Sequence, residues 1–170
     1  MKLPDIYKTL VITLSDRASR GEYEDLSGPT VRDRITAAMK VAGWQSEESV
    51  VVIPDDAKTL SELLSDASGN YNLIITTGGT GIGPRDITVD VVRPMLKAEL
   101  PGVMEMIRVK YGAEKPNALL SRGIAGILGR SLIFTLPGSV RAVNEYLDVI
   151  IPLLHHAVYM QYGIDVHGKK

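Results

Sequence analysis

The 170-residue chain contains no cysteine, which excludes disulfide bonds, thiolate metal sites and cysteine nucleophiles. Its three histidines, His155, His156 and His167, all lie near the C-terminus, so neither a histidine metal cluster nor a Ser-His-Asp triad is expected. A net charge of −1 argues against nucleic acid or an acidic membrane surface as a general partner. Because no apolar run approaches ~20 residues and no signal-peptide core is visible, we expect a soluble cytoplasmic protein.

Short β-branched runs alternate with helical patterns along the chain, which predicts an α/β fold. Strands are expected at 9–14, 49–53 and 73–77, with amphipathic helices over 31–42 and 60–67 between them. The length favours a single domain over residues 1–170. We therefore predict a three-layer molecule, with a mostly parallel sheet, helices on both faces and an edge hairpin.

The hairpin is predicted from two runs, 124–128 and 132–136, joined across Gly129-Arg130. The last helix is expected over 140–162, divided by Pro152.

Small polar residues predict where two helices begin. Pro29 is expected in the first turn of a helix capped by Ser27 or Gly28. Thr88 is expected to cap a helix over 89–99, in which Pro94 introduces a kink or a restart.

A glycine-rich stretch follows the third strand. It contains four glycines: Gly78, Gly79, Gly81 and Gly83. Helices and strands both disfavour glycine, so the chain must turn sharply there. The stretch is not a P-loop, because no lysine lies between Lys58 and Lys97. It is not a Rossmann motif either, because Pro84 stands where that motif requires a glycine. An ordinary strand-to-helix loop would also contain glycines. Arg85 and Asp86 directly afterwards favour a phosphate and metal site instead.

Polar residues follow four of the predicted strands, and parallel strands would bring them to one edge of the sheet. These segments are Ser15-Asp16, Pro54-Asp55, Thr77 to Gly81, and Pro137-Gly138-Ser139. Asp55 and Asp86 are candidates for Mg²⁺ ligands or for a base beside phosphates. The alternative is that Asp55 or Asp56 caps the next helix and that Asp86 pairs with Arg85.

Arginines could bind phosphates in bidentate fashion, and Arg85 and Arg122 are favoured because each adjoins a predicted site loop. Arg17, Arg20 and Arg130 are further candidates, although a lone arginine is usually a surface charge.

Eight short motifs occur together in one order: LSD at 14–16, EDLSG at 24–28, IPD at 53–55, TTGGTG at 76–81, PRDIT at 84–88, LSR at 120–122, AG at 125–126 and LPGS at 136–139. In this series the chain resembles the molybdopterin adenylyltransferases, namely the MogA-type bacterial enzymes and the G domain of gephyrin. The resemblance spans about 9–156. One departure is Thr88-Val89-Asp90, where many relatives have a proline at the first helical position.

The resemblance implies a homotrimer that binds molybdopterin and ATP and adenylylates the pterin in a Mg²⁺-dependent step. It also implies hand-over of the product to a molybdate-inserting enzyme. Asp55 and Asp86 would be the catalytic and Mg²⁺-binding carboxylates. The substrate cleft would comprise Ser15, Asp16, Asp25, Ser27, Gly28, Thr77, Gly78, Gly79, Thr80, Gly81, Arg85, Ser121, Arg122, Pro137, Gly138 and Ser139.

Two other functions stay open at this point. A MoaB-like branch shares the fold and would bind pterin, or assemble partners, without catalysis. Related domains also occur in proteins that act on nicotinamide nucleotides as pyrophosphatases or deamidases.

Overall fold

The computed structural model describes residues 2–164, so His167 lies outside the described part of the chain. Strands and helices alternate through most of it. In chain order they are β1 (Tyr7–Leu14), α1 (Asp16–Ser19), α2 (Ser27–Val41), β2 (Ser46–Ile53), α3 (Ala57–Asn70), β3 (Leu73–Thr77), α4 (Thr88–Val92), β4 (Ala98–Glu99), α5 (Pro101–Gly112), β5 (Ala125–Leu128), β6 (Ser131–Leu136) and α6 (Val140–Gln161). Two 3₁₀ turns, Arg93–Met95 and Pro116–Leu120, connect them. No helix within 2–164 is long and apolar enough to cross a membrane.

Six strands form one sheet in the order β2-β1-β3-β6-β5-β4. The first four of these run parallel, whereas β5 and β4 are antiparallel to their neighbours. The predicted mostly parallel α/β sheet is therefore confirmed. The parallel arrangement brings the carboxyl ends of β1, β2, β3 and β6 to the same edge of the sheet.

Hydrophobic side chains of the central strands alternate between two cores. In β3, Leu73 and Ile75 pack on the face covered by α2, α5 and α6, and Ile74 packs on the face covered by α3 and α4. All three are fully buried, and each such side chain contributes about 1.5–3 kcal/mol through burial. Helices on both faces confirm the predicted three layers.

The start of α2 differs from the prediction. Leu26 occupies the N-cap position, and neither Ser27 nor Gly28 provides a capping side chain. Instead the Asp25 carboxylate accepts hydrogen bonds from the backbone N–H groups of Ser27 (3.0 Å) and Gly28 (3.1 Å). A carboxylate just before a helix satisfies the free N–H groups of the first turn as a cap does.

The helix predicted over 89–99 is wrong in its second half. It ends at Val92, Pro94 lies in a 3₁₀ turn, and Ala98–Glu99 forms an edge strand on β5. That strand satisfies backbone groups of β5 that would otherwise be unpaired. Thr88 does not cap the helix either, because its hydroxyl donates to the carbonyl of Gly78 at 2.8 Å.

The predicted hairpin is present as β5 and β6, but β4 rather than the hairpin forms the edge of the sheet. Pro152 lies inside an unbroken α6, so the predicted division of that helix is also wrong. Pro152 is exposed, so the carbonyl that loses its helical partner can bind water instead, and the packed face of α6 keeps the helix continuous.

Candidate functional site

Loops from both ends of the chain meet at the carboxyl edge of the parallel strands. Directly after β1, the N–H of Ser15 donates to the carbonyl of Ile53 at the end of β2 (2.9 Å). Directly after β3, the N–H of Gly78 donates to the carbonyl of Leu136 at the end of β6 (2.9 Å). The four polar segments predicted to gather at this edge therefore do so.

Asp16 and Asp55 are held together by reciprocal hydrogen bonds. The N–H of Asp16 donates to Asp55 Oδ2 (3.1 Å), and the N–H of Asp55 donates to Asp16 Oδ1 (3.0 Å). The neighbouring Asp56 caps α3 by accepting from the N–H of Thr59 (2.7 Å), and this bond holds the pKa of Asp56 below its usual range. Of the two adjacent carboxylates, Asp56 is thus the helix cap and Asp55 is directed to the loop junction.

A small polar cavity of about 280 Å³ lies at this junction. It is lined by Leu14, Ser15, Asp16, Arg17, Asp55, Gly79, Arg85 and Asp86. Asp55 and Asp86, which are 31 positions apart in the sequence, therefore face the same space. With three carboxylates and two guanidinium groups, the lining carries a formal net charge of −1.

The alternative pairing of Arg85 with Asp86 is not observed. Arg85 forms its ion pair with Asp16 and also reaches the carbonyl of Asp55. Asp86 Oδ2 instead accepts from the N–H of Gly83 at 2.7 Å. The Asp86 carboxylate is therefore positioned by the glycine-rich loop itself rather than by its neighbour.

A larger cavity of about 530 Å³ adjoins the small one. Eight predicted residues line it: Gly79, Thr80, Gly81, Asp86, Ser121, Pro137, Gly138 and Ser139. Gly79 and Asp86 line both cavities. Any two molecules bound in the two cavities would thus meet at these residues.

Several residues of the larger cavity were not predicted from the sequence. They include Tyr111, Lys115, Asn117, Arg141, Glu145 and Tyr146. Arg141 directly follows the LPGS motif, which offered a weak signal. Lys115 lies in a loop with no motif of its own, and only the approach of that loop to α6 places it in the site.

Glu145 links two cations on the wall of the larger cavity. Its Oε1 accepts from Lys115 and, at 3.1 Å, from Arg141 Nε. Burial favours the neutral acid, but the hydrogen bonds and charges of Lys115 and Arg141 outweigh it, so the pKa of Glu145 lies below its usual range. Nearby, burial raises the pKa of Tyr146, whose hydroxyl bonds Ser121 Oγ at 2.8 Å.

Asp25, Ser27, Gly28, Thr77 and Gly78 line neither cavity. The Asp25 carboxylate also accepts from Thr13 Oγ1 (2.7 Å), and Ser27 Oγ bonds Thr77 Oγ1 (2.9 Å). Gly78 has a φ of 94°, and a side chain there would collide with the Leu14 carbonyl. These residues therefore form hydrogen bonds and close contacts inside the protein and do not line either cavity.

Arg122, which also lines neither cavity, is bound entirely to protein groups. It donates through Nε to the carbonyl of Gly81 (2.7 Å) and through NH2 to the carbonyl of Asp86 (2.7 Å). Its remaining bonds go to both oxygens of Asp90, at 2.8 and 3.1 Å. Four of the five N–H donors of the guanidinium are therefore used, two by the loop that carries Asp86 and two by Asp90 in α4.

The donor set at the small cavity fits a hard divalent cation. Carboxylate oxygens are the ligands that Mg²⁺ prefers, and in phosphate-transfer sites one or two carboxylates are completed by substrate oxygens. Within residues 2–164, no group of three or more His, Cys, Asp or Glu side chains is arranged to hold a metal by itself. Asp55 and Asp86 would thus bind such an ion only together with a ligand.

Comparison with known proteins identifies relatives along most of the chain. Residues 10–156 match the family model described as "Probable molybdopterin binding domain". A Pyrococcus furiosus protein named molybdopterin adenylyltransferase is 35% identical over 159 residues, which are 90% of each chain. A Staphylococcus carnosus protein named molybdenum cofactor biosynthesis protein B is 34% identical over 163 residues, covering 94% of this chain and 93% of that protein.

Longer relatives contain the same domain as one part. Gephyrin of Dictyostelium discoideum is 39% identical over 155 residues, which are 87% of this chain but 21% of that protein. The chain also spans 49% of a bifunctional molybdenum cofactor biosynthesis protein of Chlorobaculum tepidum. Among solved structures, a molybdopterin biosynthesis protein from Mycobacterium abscessus superposes with a TM-score of 0.82 at 32% identity, covering 94% of this chain and 98% of that one. The chain therefore belongs to the molybdopterin-binding domain family of molybdenum cofactor biosynthesis.

Proposed function

We propose that the protein is a molybdopterin adenylyltransferase, which transfers AMP from ATP to the terminal phosphate of molybdopterin and releases pyrophosphate. The observation that carries this proposal is the pair of adjoining cavities that share Gly79 and Asp86 as their common wall. A transfer between two bound substrates requires such a junction, whereas a binder of one ligand does not. The activity named for the Pyrococcus furiosus relative supports the same conclusion.

The small cavity suits the triphosphate of ATP. Arg17 and Arg85 supply positive charge, and the backbone of Gly79 lets phosphate oxygens approach closely. Because the three carboxylates leave the lining at −1, a bare triphosphate would be repelled. We therefore propose that Asp55 and Asp86 would hold Mg²⁺ together with phosphate oxygens, and that the bound ion would supply the positive charge that the lining lacks.

The larger cavity suits the pterin. Ile82, Ile107 and Leu120 provide apolar walls, as planar ring systems require. Lys115 and Arg141 provide cations for the terminal phosphate. Ser139 at the start of α6 adds a further polar group.

The reaction needs positioning more than proton transfer. An oxygen of the pterin phosphate forms a bond to the α-phosphorus of ATP, and the bond from that phosphorus to the β-phosphate oxygen breaks. A phosphate monoester is largely dianionic at pH 7, because its second pKa is about 6, so its oxygen needs no general base. The chain's contribution is to hold both phosphates at the shared wall and to exclude competing geometries.

A binding protein of the MoaB type is the second candidate, because the Staphylococcus carnosus relative is named molybdenum cofactor biosynthesis protein B and not adenylyltransferase, and it matches as much of the chain as the Pyrococcus furiosus relative does. In that case pterin would bind in the larger cavity without turnover of ATP.

Turnover of Mg²⁺-ATP to pyrophosphate in the presence of molybdopterin tests the proposal. We expect Asp55→Asn and Asp86→Asn to lower kcat by at least ~100-fold, since each removes charge at the metal and phosphates. Asp56→Asn is the matched control, because it changes the neighbouring carboxylate and asparagine caps a helix equally well. Pterin binding without pyrophosphate release by the unmodified protein would contradict the transferase and favour the MoaB-type function.

We further propose a cytoplasmic homotrimer that hands its product to a molybdate-inserting enzyme. An apolar groove that includes Val103, Met106, Val149 and Leu153 supports self-association, since such surfaces are usually covered in assemblies. Light scattering should give three times the chain mass of 18.5 kDa, and a monomer would refute the trimer.

A further inference from the structure

Arg17 in α1 and Tyr23 in the loop after it form a stacked pair, and the proposed function assigns no role to Tyr23. The guanidinium carbon of Arg17 lies 5.0 Å from the centre of the Tyr23 ring, within the range of a cation–π contact. The Tyr23 side chain is 47% exposed, so part of its ring is open to solvent. Its hydroxyl bonds Ser15 Oγ at 2.9 Å, which fixes the direction of the ring.

This pair lies beside the small cavity. Ser15 and Arg17 both line the cavity, and Tyr23 contacts both of them without lining it. Among residues 2–164, Arg17 forms no salt bridge, whereas nearby Arg20 is paired with Glu22. The positive charge of Arg17, and the face of its guanidinium that is turned away from Tyr23, are thus available to a ligand in the cavity.

The size of the cavity requires part of a nucleotide to lie outside it. At about 280 Å³ it falls at the lower limit of ligand pockets, which span roughly 300–1,000 Å³. Its lining is polar and charged, which suits phosphates and not a purine. The base of a nucleotide whose triphosphate fills this cavity must therefore extend past its rim.

We propose that Arg17 and Tyr23 form the platform on which the purine base of the bound nucleotide stacks. The proposal rests on the proposed function for the placement of the triphosphate. Arginine planes and aromatic rings both stack on nucleobases. Ser15 acts as a positioning residue, because its hydroxyl holds the ring beside Arg17.

The competing location for the base is the larger cavity, with its apolar walls of Ile82, Ile107 and Leu120. A base bound there would leave Tyr23 without contact to the nucleotide. The two locations are therefore separated by variants of Tyr23.

The experiment measures the binding of Mg²⁺-ATP and of inorganic tripolyphosphate with Mg²⁺ by calorimetry. Tyr23→Ala should weaken ATP binding by about 5- to 150-fold, the range for loss of one base-stacking aromatic, and should leave tripolyphosphate binding unchanged. Tyr23→Phe keeps the ring and should retain ATP affinity within about 5-fold. Arg17→Ala should weaken both ligands, and Arg20→Ala is the matched arginine control that should weaken neither.

Two results would overturn the platform. One is that folded Tyr23→Ala binds Mg²⁺-ATP as tightly as the unmodified protein does, while the unmodified protein binds both ligands. That result would refute the platform but would not contradict the proposed transferase. The other is equal weakening of ATP and tripolyphosphate by Tyr23→Ala, which would show that the ring acts on the phosphate site. If the unmodified protein binds neither ligand, the proposed function fails together with the platform.

Discussion

Replacing Arg122 tests whether this residue stabilises the glycine-rich loop or serves as a phosphate ligand. The structure commits four of its donors to Gly81, Asp86 and Asp90. Arg122→Ala should therefore destabilise the fold and disorder the loop that carries Asp86. If Arg122 served only to bind phosphate, the same change would leave the free energy of unfolding unaltered.

The expected magnitude follows from the separate contacts. Buried hydrogen bonds from a charged donor contribute about 1.5–3 kcal/mol each. The Arg122 side chain is 36% exposed, so water can take the place of its donors when it is removed. We therefore expect about 0.5–1.5 kcal/mol for each of the two carbonyl bonds. The pair with Asp90 adds little, because that carboxylate is exposed and water screens its charge. The total is about 1–3 kcal/mol, which corresponds to a decrease in Tm of roughly 2–12 °C for a chain of this size.

Urea unfolding followed by far-UV circular dichroism measures this loss. Arg122→Lys should recover only part of it, because an ammonium group cannot reproduce the bidentate geometry of the guanidinium. Asp90→Asn is the matched control and should cost clearly less stability than Arg122→Ala, since it leaves both carbonyl bonds in place. Arg122→Ala that loses activity but is as stable as Asp90→Asn would show that Arg122 acts on phosphate and does not stabilise the loop.

Three further changes test other parts of the site. Gly81→Ala should lower kcat by about 10- to 100-fold with little change in Tm. The added methyl group would lie 2.7 Å from Asp86 Oδ2 and would displace that carboxylate. An unchanged kcat would argue that the position of the Asp86 carboxylate does not matter for the reaction. Thr88→Val should cost about 1–3 kcal/mol in urea unfolding, since it leaves a buried loop carbonyl unpaired, whereas a neutral effect would show that the carbonyl finds another donor. The pKa of Glu145 is lower in the folded protein than its ordinary value of 4.5, so its pairing with Lys115 and Arg141 stabilises the protein above that pH and is lost as the pH falls through the folded value. The stability advantage over Glu145→Gln, measured from pH 3 to 7, should therefore shrink on acidification, and a pH-independent difference contradicts this.

The strands and their direction were readable from the sequence because the relevant signals are local. Residues 9–14 and 73–77 are β-branched, apolar and uncharged, a composition that favours buried parallel strands. Once the strands are parallel, their polar carboxyl ends must share one edge, so the meeting of Asp55 with Asp86 was predictable without coordinates.

Helix boundaries were less predictable, because tertiary partners override local preference. Thr88 is a good cap by composition, but the buried Gly78 carbonyl takes its hydroxyl. Ala98–Glu99 has helical composition, but the open side of β5 takes its backbone. Pro152 should break a helix, but it faces water while the opposite side of α6 is packed.

The sequence by itself determined the fold class, the edge of the sheet that carries the site and the two carboxylates that face one cavity, because periodicity and strand direction depend on neighbouring residues. Only the tertiary structure decided which partner each charge has. Arg85 binds Asp16 and not Asp86, Arg122 binds the loop, and Lys115 reaches Glu145. Such pairings depend on distances between segments far apart in the chain, and no local pattern encodes those distances.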